Sequence, residues 1–314
     1  MLINNLLLFF VSAFFMVISA IFLVKSLSKI AKFLKISEFV ATFLIMGIAT
    51  SLPELFTGIS SAVSGNSALS LGNIIGANII NMTLIMGILV ILSKGMKIKK
   101  SKIKYEMNLM MFSIFLLIIL YLIGDSLSQI DGIILVSLFC INVFMVFNKN
   151  KKYPKKINQK NIRERKSILP WIIFTISVLV LFFSSKFAVL YAKNIALDLA
   201  VSHILIGLFL ISIITTLPEL IFGISAVLLK HSDMSLGDQI GSVFANICLV
   251  LGIVAIIHPI KTEFASFLIS SIFLVLAGLL FIFFIKSGKK LTIKKGICLI
   301  IFYLIFVIVE ILFK

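Results

Sequence analysis

Apolar residues run along this chain in long blocks separated by short polar gaps. Ten such blocks can be marked, at 5–24, 38–63, 70–92, 107–124, 130–147, 168–192, 202–229, 235–257, 263–285 and 295–313. A run of about 18 or more mostly apolar residues is long enough to cross the hydrocarbon of a bilayer as a helix. A membrane β-barrel would instead show short alternating segments, and none are present. The pattern predicts an all-α polytopic membrane protein with ten transmembrane helices. Two of the blocks, 38–63 and 202–229, are longer than a span needs, and each has a proline near its middle, Pro53 and Pro218. Those helices are expected to be tilted or broken.

A second regularity lies inside the first. Residues 50–54 read T-S-L-P-E and residues 215–219 read T-T-L-P-E, which places Glu54 and Glu219 165 positions apart. At the same offset S-L-G-N-I-I-G-A-N-I-I-N (70–81) aligns with S-L-G-D-Q-I-G-S-V-F-A-N (235–246). Gly58 pairs with Gly223, Ser60 with Ser225, and Gly87-Ile88 with Gly252-Ile253, without a gap. The chain is therefore an internal duplication. A first repeat is expected over 1–147 (motifs within 47–92), a basic cytoplasmic linker over 148–167, and a second repeat over 168–314 (motifs within 212–257). Each repeat holds five blocks, and an odd number of crossings turns one copy upside down relative to the other. Two inverted five-helix repeats with interrupted helices meeting near the midplane form a recurrent transporter plan.

Composition narrows the class. With 61% hydrophobic and 13% charged residues, and a mean hydropathy of +1.22, a soluble fold is excluded. The net charge of +17 does not point to nucleic acid, because the basic residues sit in the gaps between apolar blocks. If the N-terminus is outside, 25 of the 29 Lys and Arg residues fall on the inner side, leaving Lys186, Lys193, Lys261 and Lys314 outside. Cytoplasmic loops carry such an excess, so a multi-pass protein of the cell membrane with both termini outside is expected. Leu6–Val24 precedes its lysines, the reverse of a secretory signal, and reads as the first membrane helix. The linker is a solvated segment on an anionic leaflet; with Glu164 as its one acid it is no calcium sensor. Cys140, Cys248 and Cys298 lie apart in apolar blocks and read as buried structural thiols.

Four acids lie well within apolar blocks: Glu54, Glu219, Asp238 and Glu310. Glu310, one turn from the C-terminus, is expected to reach the interface. A carboxylate near the bilayer centre costs about 2.5–3.5 kcal/mol on insertion scales and tends to mark an ion path. No Lys or Arg stands in the blocks of Glu54 and Glu219, so a bound cation or a proton must neutralise them. Pro53 and Pro218 each withhold a backbone donor, from the carbonyls of Ala49 and Ile214, and loosen Thr50 and Thr215 beside them. Thr50 and Thr215 stand four residues before the glutamates, on the same helical face. Carboxylates, hydroxyls and freed carbonyls make an all-oxygen set, suited to hard cations such as Ca²⁺ and Na⁺. Proline kinks also occur for packing alone, but two copies in register argue for a site. Gly72-xxx-Gly76 and Gly237-xxx-Gly241 are close-packing signals that would bring Asn81 and Asn246 toward the broken helices. Asn73, Asn78 and Asp238 are then candidates for lining the ion path.

These motifs resemble the α-repeats of the calcium/cation antiporter superfamily, closest to the prokaryotic sodium/calcium exchangers. That family carries a G-T-S-L-P-E type and a G-N-x-x-G-S-N-x-x-N/D type motif in each repeat, and the resemblance covers essentially the whole chain. It implies the sodium/calcium exchanger fold and exchange of Na⁺ for Ca²⁺ by alternating access, with two peripheral helices sliding across a core of eight. It further implies that Glu54 and Glu219 are shared calcium ligands, that Thr50 and Thr215 contribute carbonyls, and that Asn81 and Asn246 complete the centre. Ser51, Thr216 and Ser242 would serve sodium. The chain departs from the pattern at Ala77 (Ser expected), at Ala49 and Ile214 (Gly expected), and at Asp238 and Val243 (Asn expected). Asp238 adds an ionisable group able to hold a proton or a cation.

The transported ions, Ca²⁺ and Na⁺, are the expected small partners, with no cofactor, no catalytic activity, no nucleic acid and a monomer in the lipid bilayer. A proton-coupled calcium antiporter is the nearest alternative, since it needs the same glutamates and fewer hydroxyls. An intramembrane aspartyl protease would need two facing aspartates and a G-x-G-D pattern, whereas here Ser235 takes the first glycine's place. A passive channel is usually built on a subunit axis rather than from two inverted halves.

Overall fold

The computed structural model describes residues 2–34, 36–65, 67–97, 100–152, 168–198, 211–262, 264–288 and 290–313. The chain opens with α1 (Leu2–Leu34). Next comes a bent pair, α2 (Glu38–Thr50) and α3 (Leu52–Val63), meeting at 42°. α4 (Ser67–Leu92), α5 (Lys100–Gly124) and α6 (Gln129–Lys152) complete the first half. The second half contains α7 (Leu169–Asp198), then α8 (Ile211–Thr215) and α9 (Leu217–Leu228), which form a second broken helix. α10 (Ser232–Ile257), α11 (Phe264–Lys286) and α12 (Ile293–Phe313) close the chain. By length and composition six of the described helices can each cross a membrane, and α2–α3 make a seventh if counted as one span. The expected linker at 148–167 and the start of the block at 202–229 lie largely outside the described residues.

Two expectations are corrected. The first helix does not end at Val24; it continues to Leu34, carrying Lys25, Lys29 and Lys32 on helix rather than in a loop. Lysine stems pack along an apolar helix while their charges reach the interface, so such residues need not end a helix. Of the three cysteines only Cys248 is buried; Cys140 and Cys298 lie on the outer surface of the helices.

The halves interlock rather than sit side by side. A methyl group on Gly87 of α4 would stand 2.7 Å from the carbonyl oxygen of Gly296 on α12. Likewise, a methyl on Gly132 of α6 would stand 2.6 Å from the carbonyl oxygen of Gly252 on α10. Gly87 and Gly252 are repeat mates, so the last helix of each half closes on the same point of the opposite half. Small residues allow this where lipid supplies no hydrophobic drive between helices. Phe244 of α10 stacks on Phe43 of α2 and on Phe139 of α6, with centroids 5.7 and 5.6 Å apart, which pins three helices to one core.

Loops expected on the same side meet. Met96–Lys97 (β1) pairs antiparallel with Lys290–Leu291 (β2), Lys97 opposite Lys290, on the lysine-rich face. On that face His231 Nδ1 lies 2.9 Å from Glu38 Oε2. On the opposite face Leu127 bridges Ile260, and the Tyr121 hydroxyl bonds the backbone of Thr262.

The apolar core divides in two. One large cluster ties α2–α6 and α9–α12 together. A second joins α1 (Met16, Leu23, Leu27, Ile30) and α7 (Phe174, Leu181) to Phe222 and Ala226 of α9. The long helices α1 and α7 thus pack against each other and, through Ala41 and Met46 of α2 and Met234 of α10 as well, against the side of the molecule.

Candidate cation site

Each of the two in-register prolines breaks its helix where the glutamate follows. Ser51 and Thr216 carry the breaks, with φ/ψ of −79/5° and −87/3°. Glu54 and Glu219 therefore fall in the first turn of α3 and α9. A helix N-terminus stabilises a carboxylate, by about 0.3–1 kcal/mol. The preceding half-helices, α2 and α8, end at Thr50 and Thr215 with their negative, carbonyl-bearing ends facing the same gap. Carboxylates and carbonyls thus converge without a basic side chain, since none occurs in α2, α3, α8 or α9.

The packing that holds this gap is symmetric. On α10, Gly241 backs onto Gly47 and Phe43 of α2, so tightly that a methyl on Gly47 would stand 2.7 Å from the Gly241 carbonyl carbon. Their repeat mates, Gly76 of α4 and Ser212 of α8, meet in the same way, a Gly76 methyl reaching 3.0 Å from the serine oxygen. α4 and α10 each pass through a π-helical turn that begins at Asn81 and at Asn246. Such bulges are frequent at functional sites.

Glu54, Glu219, Asp238, Asn81, Asn246 and Ser242 are wholly buried, and Thr50, Ser51, Thr215 and Thr216 nearly so. No oxygen of Glu54 or Glu219 makes a well-aligned hydrogen bond. Thr215 stands within electrostatic reach of Glu54, and Thr50 of Glu219, so each glutamate faces the threonine of the other half. Glu219 is also within electrostatic reach of Glu54 and Asp238. Around this pair the hydrogen bonds repeat with the register: Thr50 Oγ1 donates to Asp238 Oδ1 (3.3 Å), and Thr215 Oγ1 to Asn73 Oδ1 (3.4 Å). Thr50 Oγ1 also meets Ser242 Oγ at 3.1 Å, and Asn246 Nδ2 donates to Asn78 Oδ1 at 3.1 Å.

The structure thus brings together Glu54, Glu219, Thr50, Thr215, Asp238 and Ser242, and couples Asn246 to Asn78. It does not tie in the remaining expected residues. The Thr216 hydroxyl turns back to the carbonyls of Ser212 and Ile213, while Ser51 and Asn81 are buried without a hydrogen bond. Gln239, which the sequence reading passed over, donates from Nε2 to Asp238 Oδ2 at 3.1 Å. The available signal was an amide where the mate position holds Ile74. Glu310 does not reach the interface as expected; it is 2% exposed and accepts a bond from Ser270 of α11. Among the described residues no three His, Cys, Asp or Glu side chains are close enough to form a metal-holding group; the gap holds the two glutamates, with Asp238 on one side and the hydroxyls of Thr50, Thr215 and Ser242 around them.

The family model of the sodium/calcium exchanger protein matches residues 4–148 and 169–312. This chain belongs to the sodium/calcium exchanger family. Over 97% of its length and 98% of the relative's, it is 28% identical to sodium/calcium exchanger MaX1 of Methanosarcina acetivorans. It is 30% identical to uncharacterized membrane protein MJ0091 of Methanocaldococcus jannaschii, over 83% of either chain. The structure of the sodium-calcium exchanger NCX_Mj soaked with Na⁺ and Ca²⁺ superposes with a TM-score of 0.80 at 27% identity, covering 97% of this chain and 98% of that one. As an exchanger of this family, the chain is a multi-pass membrane transporter of cations and not an enzyme.

Proposed function

We propose that this exchanger moves Ca²⁺ across the cell membrane against Na⁺, one ion replacing the other at the Glu54–Glu219 gap. The observation that carries this reading is the pair itself: two wholly buried carboxylates that face each other without a bonded partner or a basic neighbour. Leaving charge in that state costs several kcal/mol per ion, roughly, so the pair calls for a bound cation. In this reading Ca²⁺ is shared by Glu54 and Glu219, with the carbonyls of Thr50 and Thr215 and the amides of Asn81 and Asn246 around it. Na⁺ ions use the hydroxyls of Ser51, Thr216 and Ser242, with Asp238 beside them. Neutralised by either load, the site can pass the midplane; emptied, it cannot. That condition makes movement an exchange rather than a leak.

Alternating access would come from α1 and α7 sliding across the remaining helices, against the α2, α9 and α10 residues that share their apolar cluster. The repeats would run over 1–147 and 168–314, the protein would act as a monomer, and both termini would lie outside, as the bias of its Lys and Arg residues favours.

A second reading has its own support. Ala77 removes a hydroxyl where Ser242 supplies one in the other half, and Asp238 adds a third carboxylate that can carry a proton. The exchanger could then couple Ca²⁺ to H⁺. Purified protein in liposomes separates the two: Ca²⁺ uptake is measured under an outward Na⁺ gradient and, in parallel, under an outward H⁺ gradient without Na⁺. Uptake driven by Na⁺ alone is expected. Uptake driven by protons alone would replace the coupling ion, and no uptake under either gradient would overturn the calcium assignment.

A further inference from the structure

The polar positions of α4 and α10 do not stop at the glutamates. Ser67, Ser70, Asn73 and Asn81 recur at helical spacing along α4; their mates Ser232, Ser235, Asp238 and Asn246, with Ser242, recur along α10. The lower part of each stripe surrounds the carboxylates. The upper part has no role there, yet it is buried: Ser70 is 1% exposed and Ser235 0%. A buried serine on a helix ordinarily returns its proton to a carbonyl one turn back, as Ser19 and Ser113 do here. Ser70 Oγ and Ser235 Oγ make no hydrogen bond at all. Two unpaired hydroxyls at mate positions call for a common explanation.

Their surroundings supply one. Ser70 Oγ lies 2.9 Å from the point where a Cβ on Gly58 would stand, so that hydroxyl fits because Gly58 has no side chain. Gly58 is one turn beyond Glu54 on the same face of α3. One turn further out, Ser67 Oγ meets His258 Nδ1 at 3.1 Å and the Pro259 carbonyl at 2.8 Å, and His258 is exposed on the face opposite the lysine-rich one. Oxygens thus step from that face to Glu54. On α10 the order is inverted. Ser235 stands one turn from Asp238 toward the lysine-rich face, where α10 begins beside half-exposed His231.

We propose that Ser70 and Ser235 are entry ligands, the hydroxyls that first replace water on a cation moving to the glutamates, Ser70 serving the His258 face and Ser235 the lysine-rich face. Hard cations surrender water most readily to oxygen donors, and a neutral hydroxyl can hold an ion in transit without trapping it. The inverted repeat then provides one such step for each side of the membrane. The inference rests on the cation-exchange reading, and its test does not require transport.

Ser70→Cys and Ser235→Cys are made separately in protein carrying Cys140→Ser, Cys248→Ala and Cys298→Ser, reconstituted in vesicles. A small cationic, membrane-impermeant thiol reagent is added to one face at a time. Ser70→Cys is expected to react only from the His258 face and Ser235→Cys only from the lysine-rich face, with added Ca²⁺ or Na⁺ slowing both. No reaction from either face, or reaction of each from both, would overturn the proposal whether or not Ca²⁺ is transported. In otherwise native protein, Ser70→Ala is expected to raise the KM for Ca²⁺ severalfold at the His258 face, with kcat and the other face's KM retained. Ser235→Ala should do the converse. Equal changes at both faces would overturn the proposal, and a lowered melting temperature beside them would mark the hydroxyls as packing.

Discussion

The two halves of this exchanger share a register, a broken helix and a glutamate, but they do not share their polar detail. Thr50 in the first half finds two partners on α10, Asp238 and Ser242. Its mate Thr215 finds only Asn73 on α4, because Ala77 stands where Ser242 does. Asn246 is anchored by Asn78, whereas Asn81 has no bond because Val243 holds the mate of Asn78. α10 also brings Asp238, backed by Gln239, where α4 brings Asn73 and Ile74. The symmetric residues are those a shared ion needs from both sides. The asymmetric ones make α10 the more heavily furnished wall, which points to distinct ions bound off the symmetry axis.

Removing what the halves share should have the largest effect. Glu54→Gln or Glu219→Gln is expected to lower Ca²⁺ flux about a hundredfold or more, since losing one partner of a buried charged group costs about 3–5 kcal/mol. The two losses should be equal. A flux assay in which one variant keeps most activity would break the symmetry. Next comes the packing. Gly241 abuts the backbone of Phe43, which cannot move aside, while Gly76 abuts the side chain of Ser212, which can. Gly241→Ala should therefore destabilise by about 1–3 kcal/mol and Gly76→Ala by less, a contrast readable in thermal melts in detergent.

Substitutions that make one half resemble the other come third. Ala77→Ser restores the missing hydroxyl and should lower the Na⁺ concentration for half-maximal exchange about three- to tenfold, the worth of a hydrogen-bond-scale contact. Asp238→Asn should leave exchange in place but flatten its dependence on pH, because it removes a group able to bind a proton. A proton-coupled protein would instead lose coupling altogether. The smallest effect belongs to Val243→Asn, which offers Asn81 the partner its mate enjoys and should add about 1 kcal/mol of stability at most.

Much of this could be read before the fold was seen, because a membrane restricts the options: long apolar blocks must be helices, and a buried carboxylate repeated in register is conspicuous. The register also picked out Thr50 and Thr215, which the structure sets across from the opposite half's glutamate. What stayed hidden depended on contacts between halves. That Thr50 meets Asp238 rather than a residue of its own repeat is set by the crossing of α2 and α10 through Gly47 and Gly241. Gln239 matters only because its neighbour is an acid. The burial of Glu310 follows from how α12 packs against Ser270, which distance from the C-terminus does not reveal. The helical run of Lys25, Lys29 and Lys32 looked like a loop because charge, rather than backbone preference, marked the boundary.

The central claim is that Glu54 and Glu219 share one calcium ion. Calorimetric titration of the purified protein with Ca²⁺ in the absence of Na⁺ tests it directly, alongside Glu54→Gln and Glu219→Gln. One ion per chain is expected, lost to the same degree in either variant. Two independent ions, each removed by its own substitution, would contradict the account.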